Sequence, residues 1–164
     1  MFDTNISINI KKIVSKTRSI GLIGCSGYAG QILASLLAEH PIFRLHQHPR
    51  GHEVPRAPAE LAPLLKMDAV ALALPSAPAR AWTSVLLQSG SPCVVDLSDA
   101  HRHAPAIHYA LRELQGPTPA NARLIANPGC YPTATLLALA PLIREGLLED
   151  SGVCVVGASG ATGA

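Results

Sequence analysis

Ile20-Gly21-Leu22-Ile23-Gly24-Cys25-Ser26-Gly27-Tyr28-Ala29-Gly30 is the stretch that decides the fold. A short apolar run ends at glycines spaced three apart, and residues 29–40 then carry Leu and Ala at helical spacing. The order is strand, glycine turn, helix. Gly24 suits a tight turn, Gly27 lets main-chain amides meet a pyrophosphate, and Gly30 permits close packing of helix on strand. In this context the pattern points to a dinucleotide, with Gly24, Ser26, Gly27, Tyr28, Ala29 and Gly30 as candidate cofactor-binding residues.

Further along, apolar strand-like runs recur at 43–46, 69–74, 93–97, 123–126 and 153–158, after the first at 20–25. Helical stretches lie between them at 29–40, 59–66, 78–88 and 133–145. This alternation predicts an α/β fold, a doubly wound parallel sheet of the Rossmann-like kind, and consecutive apolar positions in the strands require cover on both faces. Pro41, Gly90 and Gly146 fall where helices should stop. Residues 98–122, rich in Pro, His and Ala without periodicity, read as a long loop after a strand's carboxyl end, where ligands of such sheets bind.

A second stretch carries chemistry. Ile125-Ala126-Asn127-Pro128-Gly129-Cys130-Tyr131-Pro132-Thr133 sets a thiol in a proline- and glycine-rich turn before an apolar helix. Unpaired helix-starting amides and the axial dipole favour an anion there, which makes Cys130 the candidate nucleophile. Pro132 fits the first helical turn, since its missing amide costs nothing there. Taken alone, a free cysteine reads as readily as a small core residue.

The second strand is followed by His46-Gln47-His48-Pro49-Arg50, which offers no acid for a ribose 2′-hydroxyl and one arginine for a 2′-phosphate. That favours NADP, although Arg50 fits a solvated loop equally well. With 164 residues, 48% hydrophobic, 15% charged and a net charge of +2, the chain has a core but no basic field, so no nucleic-acid partner is expected. Apolar runs are too short for a membrane span, and the first residues lack a secretory h-region. Four cysteines without CxxC spacing suit a cytoplasmic location. The histidines at 46, 48 and 52 and at 101, 103 and 108 lack a supporting carboxylate and cysteine set, and no metal site is expected.

With the glycine turn, Ala73-Leu74-Pro75, Asp96-Leu97-Ser98-Asp99-Ala100-His101-Arg102 and the 127–133 segment in order, the chain closely resembles N-acetyl-gamma-glutamyl-phosphate reductase, an enzyme family of arginine biosynthesis. The resemblance runs from about Ile20 to the last residue, and Ala126 to Ala134 matches the family's cysteine motif throughout. It implies that a Cys130 thiolate attacks an acyl phosphate, that phosphate leaves, and that NADPH reduces the thioester to N-acetylglutamate semialdehyde. It further implies that Ser98 and Arg102 hold phosphate or carboxylate, that Asn127 orients the reacting carbonyl, and that Pro75, Ser159 and Gly160 line the nicotinamide pocket. Asn127 before a proline is also an ordinary turn former. Family members are homo-oligomers taking a small acyl phosphate substrate.

The departures are specific. The family's DLSADFR reads DLSDAHR here, with His101 in place of an aromatic, and no segment matches the downstream GHRHxPE motif that supplies the family's catalytic histidine. The resulting expectation is an extension at 1–19, an NADP-binding domain at 20–129, and the start of a catalytic and dimerisation domain at 130–164 that stops inside a motif. Such a chain is expected to be nearly inactive alone. The alternatives are a truncated NADP-binding module, or an enzyme like aspartate-semialdehyde dehydrogenase, whose cysteine segment differs from NPGCYPT.

Overall fold

The computed structural model describes residues 17–48, 53, 58–104, 107–149 and 151–160. Six parallel strands form its sheet: β1 (Arg18–Ile23), β2 (Phe43–His48), β3 (Ala69–Leu72), β4 (Val94–Asp96), β5 (His108–Tyr109) and β6 (Leu124–Ala126), in the spatial order β2-β1-β3-β4-β6-β5. Five helices accompany the described strands: α1 (Tyr28–Ala38), α2 (Pro58–Leu65), α3 (Ser76–Gln88), α4 (Arg112–Gln115) and, after β6, α5 (Cys130–Arg144). Arg50, His52 and residues 1–16 of the expected extension lie outside the described residues.

The chain goes from β1 outward to β2, then crosses back so that β3 lies on the other side of β1. That reversal opens a crevice at the carboxyl ends of β1 and β3, where open α/β sheets bind ligands. Main-chain hydrogen bonds align those ends: Ala73 N donates to Ile23 O at 2.9 Å, Leu97 N to Leu72 O at 3.0 Å and Asn127 N to Asp96 O at 2.8 Å. Residues 24, 73, 97 and 127 therefore stand side by side.

Side-chain alternation sorts the two faces. Ile23, Val70, Leu72 and Val94 meet Leu61 and Leu64 of α2 and Ala79, Trp82 and Leu86 of α3 in a buried core. On the opposite face, α1 presents Leu33 and Leu37 to Ile20, Ala69, Ala71 and Val95 across a cavity of about 220 Å³. A wider groove of about 690 Å³ continues past Phe43, Cys93 and Ile125. The expected cover on both faces is thus dense on one side and partial on the other.

Helix ends follow glycine chemistry. Gly90 and Gly146 take positive φ values of 90° and 69° after α3 and α5. Each sits in a paired closure, with Ser91 N on Leu86 O and Gly90 N on Leu87 O, and with Leu147 N on Leu142 O and Gly146 N on Ile143 O.

Two expectations are corrected. Residues 153–158 form no strand; they are exposed and lie against the start of α5. An apolar run supplies a face but not a ladder partner, and among the described residues no strand pairs with it. The expected loop at 98–122 contains β5 and the single-turn α4, where Ala110 N bonds Ala126 O at 3.0 Å and Gly116 N bonds Arg112 O at 2.8 Å.

Candidate active site

The glycine turn sits at the mouth of the β1–β3 crevice. Gly24 has φ +90°, and a β-carbon there would strike the Ala73 carbonyl, so strand exit and neighbouring turn leave no room for a side chain. A β-carbon on Gly30 would run into the Gly24 carbonyl, which brings α1 down onto the turn. Gly27 differs, since the nearest atom to its β-carbon would be Gly24 O at 3.7 Å. It is the N-cap of α1, with extended backbone and no side-chain cap. The first amides of α1 therefore have no side-chain cap, the arrangement that binds a phosphate anion. Gln31 Nε2 donates to Ser26 O at 2.9 Å and steadies the turn. Pro75, at the N-cap of α3, stands on the other wall of the crevice.

Cys130 is the first residue of α5 rather than a residue of the preceding turn, with Gly129 as an extended N-cap that has no side-chain partner. Thr133 closes the turn, its amide and hydroxyl both donating to Gly129 O at 3.0 and 2.8 Å. The thiol is exposed. It opens on a cavity of about 480 Å³ shared with Tyr131, Thr135, Ser159 and Gly160, so two residues distant in sequence come to the thiol's side. Gly157 lies flat against the Tyr131 ring, where a β-carbon would clash.

Between these two centres lies the turn after β4. Asp96 is fully buried; Oδ1 accepts from the Ser98 amide and hydroxyl at 2.9 and 2.7 Å, and Oδ2 is 2.7 Å from His101 Nδ1. Ser98 Oγ also accepts from Ala100 N at 3.1 Å, so its hydroxyl is employed within the turn. Arg102 Nε donates to Asn127 O and Nη2 to Leu97 O, both at 3.0 Å. Asn127 Nδ2 donates to Pro128 O at 3.0 Å. Of the residues expected to touch substrate, Arg102 and Asn127 are directly linked, and Ser98 is turned to the buried acid.

Asp99 receives the hydroxyl of Ser76 at the start of α3. That bond chiefly, with Arg102 and Arg80 further off, holds the Asp99 carboxyl below the usual carboxylate range. Burial pushes the Cys93 thiol up. The sequence assigns no role to Asp96 or Asp99, which stand in the 96–102 segment, and gives no signal for Ser76; for Asp96 the further signal is an acid ending the apolar run Val94-Val95-Asp96. Among the described residues no group of three or more His, Cys, Asp and Glu side chains is placed to hold a metal ion.

The family described as "Semialdehyde dehydrogenase, NAD binding domain" matches residues 19–122. The chain belongs to the semialdehyde dehydrogenase family. Residues 130–164 match the family's dimerisation domain. The N-acetyl-gamma-glutamyl-phosphate reductase of Salinispora arenicola is 38% identical over 177 residues, covering 88% of this chain and 53% of that protein. The enzyme of that name from Geobacillus stearothermophilus is 33% identical over 182 residues, covering 89% of this chain and 52% of that protein. The chain thus spans about half the length of the curated relatives it matches.

Among solved semialdehyde dehydrogenases, aspartate semialdehyde dehydrogenase from Francisella tularensis gives a TM-score of 0.64 at 16% identity, covering 79% of this chain and 42% of that one. The Candida albicans enzyme, solved with NADP, gives 0.62 at 15% identity, covering 81% and 48%. At such identities the likeness concerns the fold. It agrees with the parallel sheet and the switch-point crevice of this semialdehyde dehydrogenase chain. No helix among the described residues is long and apolar enough to cross a membrane.

Proposed function

We propose that this chain carries the dinucleotide site and the acyl-accepting thiol of an NADPH-dependent N-acetyl-gamma-glutamyl-phosphate reductase. The observation that carries the reading is the exposed Cys130 at the uncapped start of α5, opening on one cavity with Ser159 and Gly160. The glycine turn stands at the same edge of the sheet. Relatives at 33–38% identity bear the reductase name, whereas likeness to aspartate semialdehyde dehydrogenases at 15–19% identity speaks only for the fold.

In this reading the Cys130 sulfur attacks the acyl carbon of the phosphate anhydride, the carbon–oxygen bond to phosphate breaks, and inorganic phosphate leaves with the acyl group held as a thioester. Amides at the start of α5 lie where negative charge develops near that carbon. Arg102 Nη1, which makes no hydrogen bond among the described residues, is the nitrogen left to steer an anionic substrate; Ser98 and Asn127 shape the same wall. The bare amides of Tyr28, Ala29 and Gly30 fit a pyrophosphate, with Pro75 on the opposite wall, Ser159 and Gly160 toward the nicotinamide, and Arg50 as the candidate for a 2′-phosphate. A reduced nicotinamide, when bound, supplies hydride for reduction to the aldehyde level.

The same reading divides the chain into a cofactor-binding part at 20–129 and the beginning of a catalytic and dimerisation part at 130–164. It makes a homo-oligomer of the whole enzyme and places it in the cytoplasm, in keeping with four free cysteines. The test has two arms. NADPH should quench emission from Trp82, the sole tryptophan. N-acetylglutamyl phosphate should add its acyl mass to Cys130, seen by peptide mass spectrometry. Cofactor binding without an acyl adduct rejects the reductase reading in favour of a binding module, and failure of both rejects the nucleotide site as well.

A further inference from the structure

Both main-chain polar groups of Asn127 are held by β4 and the turn that follows it. Its amide donates to Asp96 O, at the end of β4 itself, at 2.8 Å, and its carbonyl accepts from Arg102 Nε, in the turn beyond, at 3.0 Å. Pro128 has no amide to offer, and Gly129 lies directly beneath the guanidinium, where a β-carbon would come within 2.8 Å of Nη1. Cys130 follows at once. The placement of the thiol is therefore set from outside its own turn, by Arg102.

Arg102 is in turn braced from below. Residues 96–102 wrap one fully buried carboxylate, which takes two hydrogen bonds from Ser98 and one contact from His101 Nδ1. His101 is the immediate neighbour of Arg102, so anchoring its ring on Asp96 fixes the main chain from which the guanidinium reaches out. The fork geometry matters, because Nε and Nη2 serve two different carbonyls, those of Asn127 and Leu97. A lysine ammonium cannot span both in a fixed plane.

We infer that Arg102, braced by the Asp96–His101 pair, is a positioning residue for Cys130: it holds the 127–129 turn in place and keeps a permanent positive charge one residue before the sulfur. This rests on the reading of Cys130 as the nucleophile and extends it. The polar contacts assign two of three guanidinium nitrogens to the main chain, so the residue's first task is to build the site, with Nη1 alone left over for a ligand.

The test uses iodoacetamide, an uncharged reagent that needs no anion site, with peptide mass spectrometry resolving each cysteine from pH 6 to pH 10. Arg102→Met is expected to slow Cys130 about tenfold near pH 7 and progressively less toward pH 10, since it releases the 127–129 turn and removes the cation beside the sulfur. Arg102→Lys should fall between the two. His101→Phe should slow Cys130 in the same pH-dependent way, and His101→Asn, whose amide can replace the Nδ1 donor, should restore it. Cys154, also exposed, is the internal control and should not respond. A wild-type Cys130 no faster than Cys154 overturns the nucleophile reading itself. A fast wild-type Cys130 unmoved by Arg102→Met and His101→Phe overturns this inference alone. A slowing equal at every pH and shared by Cys154 also overturns it, since that is general loosening rather than positioning.

Discussion

The carbonyl oxygen of Gly24 occupies the space in which residue 30 would carry a β-carbon. Two glycines six residues apart thus meet: α1 can approach the turn because residue 30 lacks a side chain, while the bare Gly24 leaves room for the Ala73 carbonyl. Gly30→Ala must push helix from turn. Overpacking of this kind costs about 1–3 kcal/mol, read from urea unfolding followed by Trp82 emission, and NADPH binding should fall with it. Gly27→Ala separates the two effects. With no atom closer than 3.7 Å to the new methyl, it should cost less than about 1 kcal/mol yet weaken NADPH binding, because the methyl stands over the amides of α1.

Asp68 ties the start of β1 to the turn before β3. Its carboxylate accepts from Ser19 N at 2.7 Å, from Arg18 Nη1 at 2.8 Å and from Ser19 Oγ at 3.0 Å. The backbone amide of Ser19 chiefly, then Arg18 and the Ser19 hydroxyl, bring its carboxyl from 3.8 down to about 2. An acid lowered on folding adds stability above its unfolded value and loses it as pH falls toward the folded one. The contribution should therefore fade between about pH 4 and pH 2. Acid titration of wild type and Asp68→Asn should show a steeper loss in that window for wild type; parallel curves would refute the assignment.

What the sequence made legible was local. Gly30 announces its geometry because its constraint, the Gly24 carbonyl, lies within a few residues, and the positive φ of Gly24, Gly90 and Gly146 is likewise a local turn property, although the Ala73 carbonyl that crowds Gly24 comes from just after β3, distant in sequence. Residues 153–158 misled because apolar character specifies a face, while strand formation depends on a partner that the residues themselves do not name. The pairing of Asp96 with His101 was invisible for a related reason. Five residues apart in an irregular turn, nothing periodic brings them together, and only the three-dimensional path of the loop does. Ser159 and Gly160 were reached through family likeness, and their place beside Cys130 depends on a chain reversal after α5.

Arg123 closes the far end of α3. Its Nη2 donates at 2.8 Å to Leu87 O, which also takes the Gly90 amide, and at 3.2 Å to Ser91 O just beyond the helix, adding side-chain donors where the helix runs out of its own. A cation there also meets the negative end of the helix dipole. Arg123→Met keeps most of the aliphatic stem and removes the donors, and should cost about 1–2 kcal/mol in urea unfolding. Arg123→Lys, which retains charge but reaches fewer acceptors, should recover part of that loss. No change in either variant would mean that water satisfies these carbonyls equally well.

The four cysteines should rank by environment under alkylation. Cys130 stands exposed at the uncapped start of α5, Cys154 is exposed in an extended segment, Cys25 is half-buried with its Sγ toward His48 O at 3.9 Å, and Cys93 is half-buried with its thiol pushed up by burial. Access and helix-start placement for Cys130, exposure for Cys154 and burial for Cys93 then predict Cys130 first, Cys154 second and Cys93 last. Cys130→Ser replaces one small exposed group by another, so unfolding should shift by no more than about 0.5 kcal/mol. Its NADPH affinity should be retained, since the glycine turn is untouched, while the acyl adduct disappears. If Cys93 reacts before Cys130, or if the serine variant still takes up the acyl group, the thiol at residue 130 is not the acceptor.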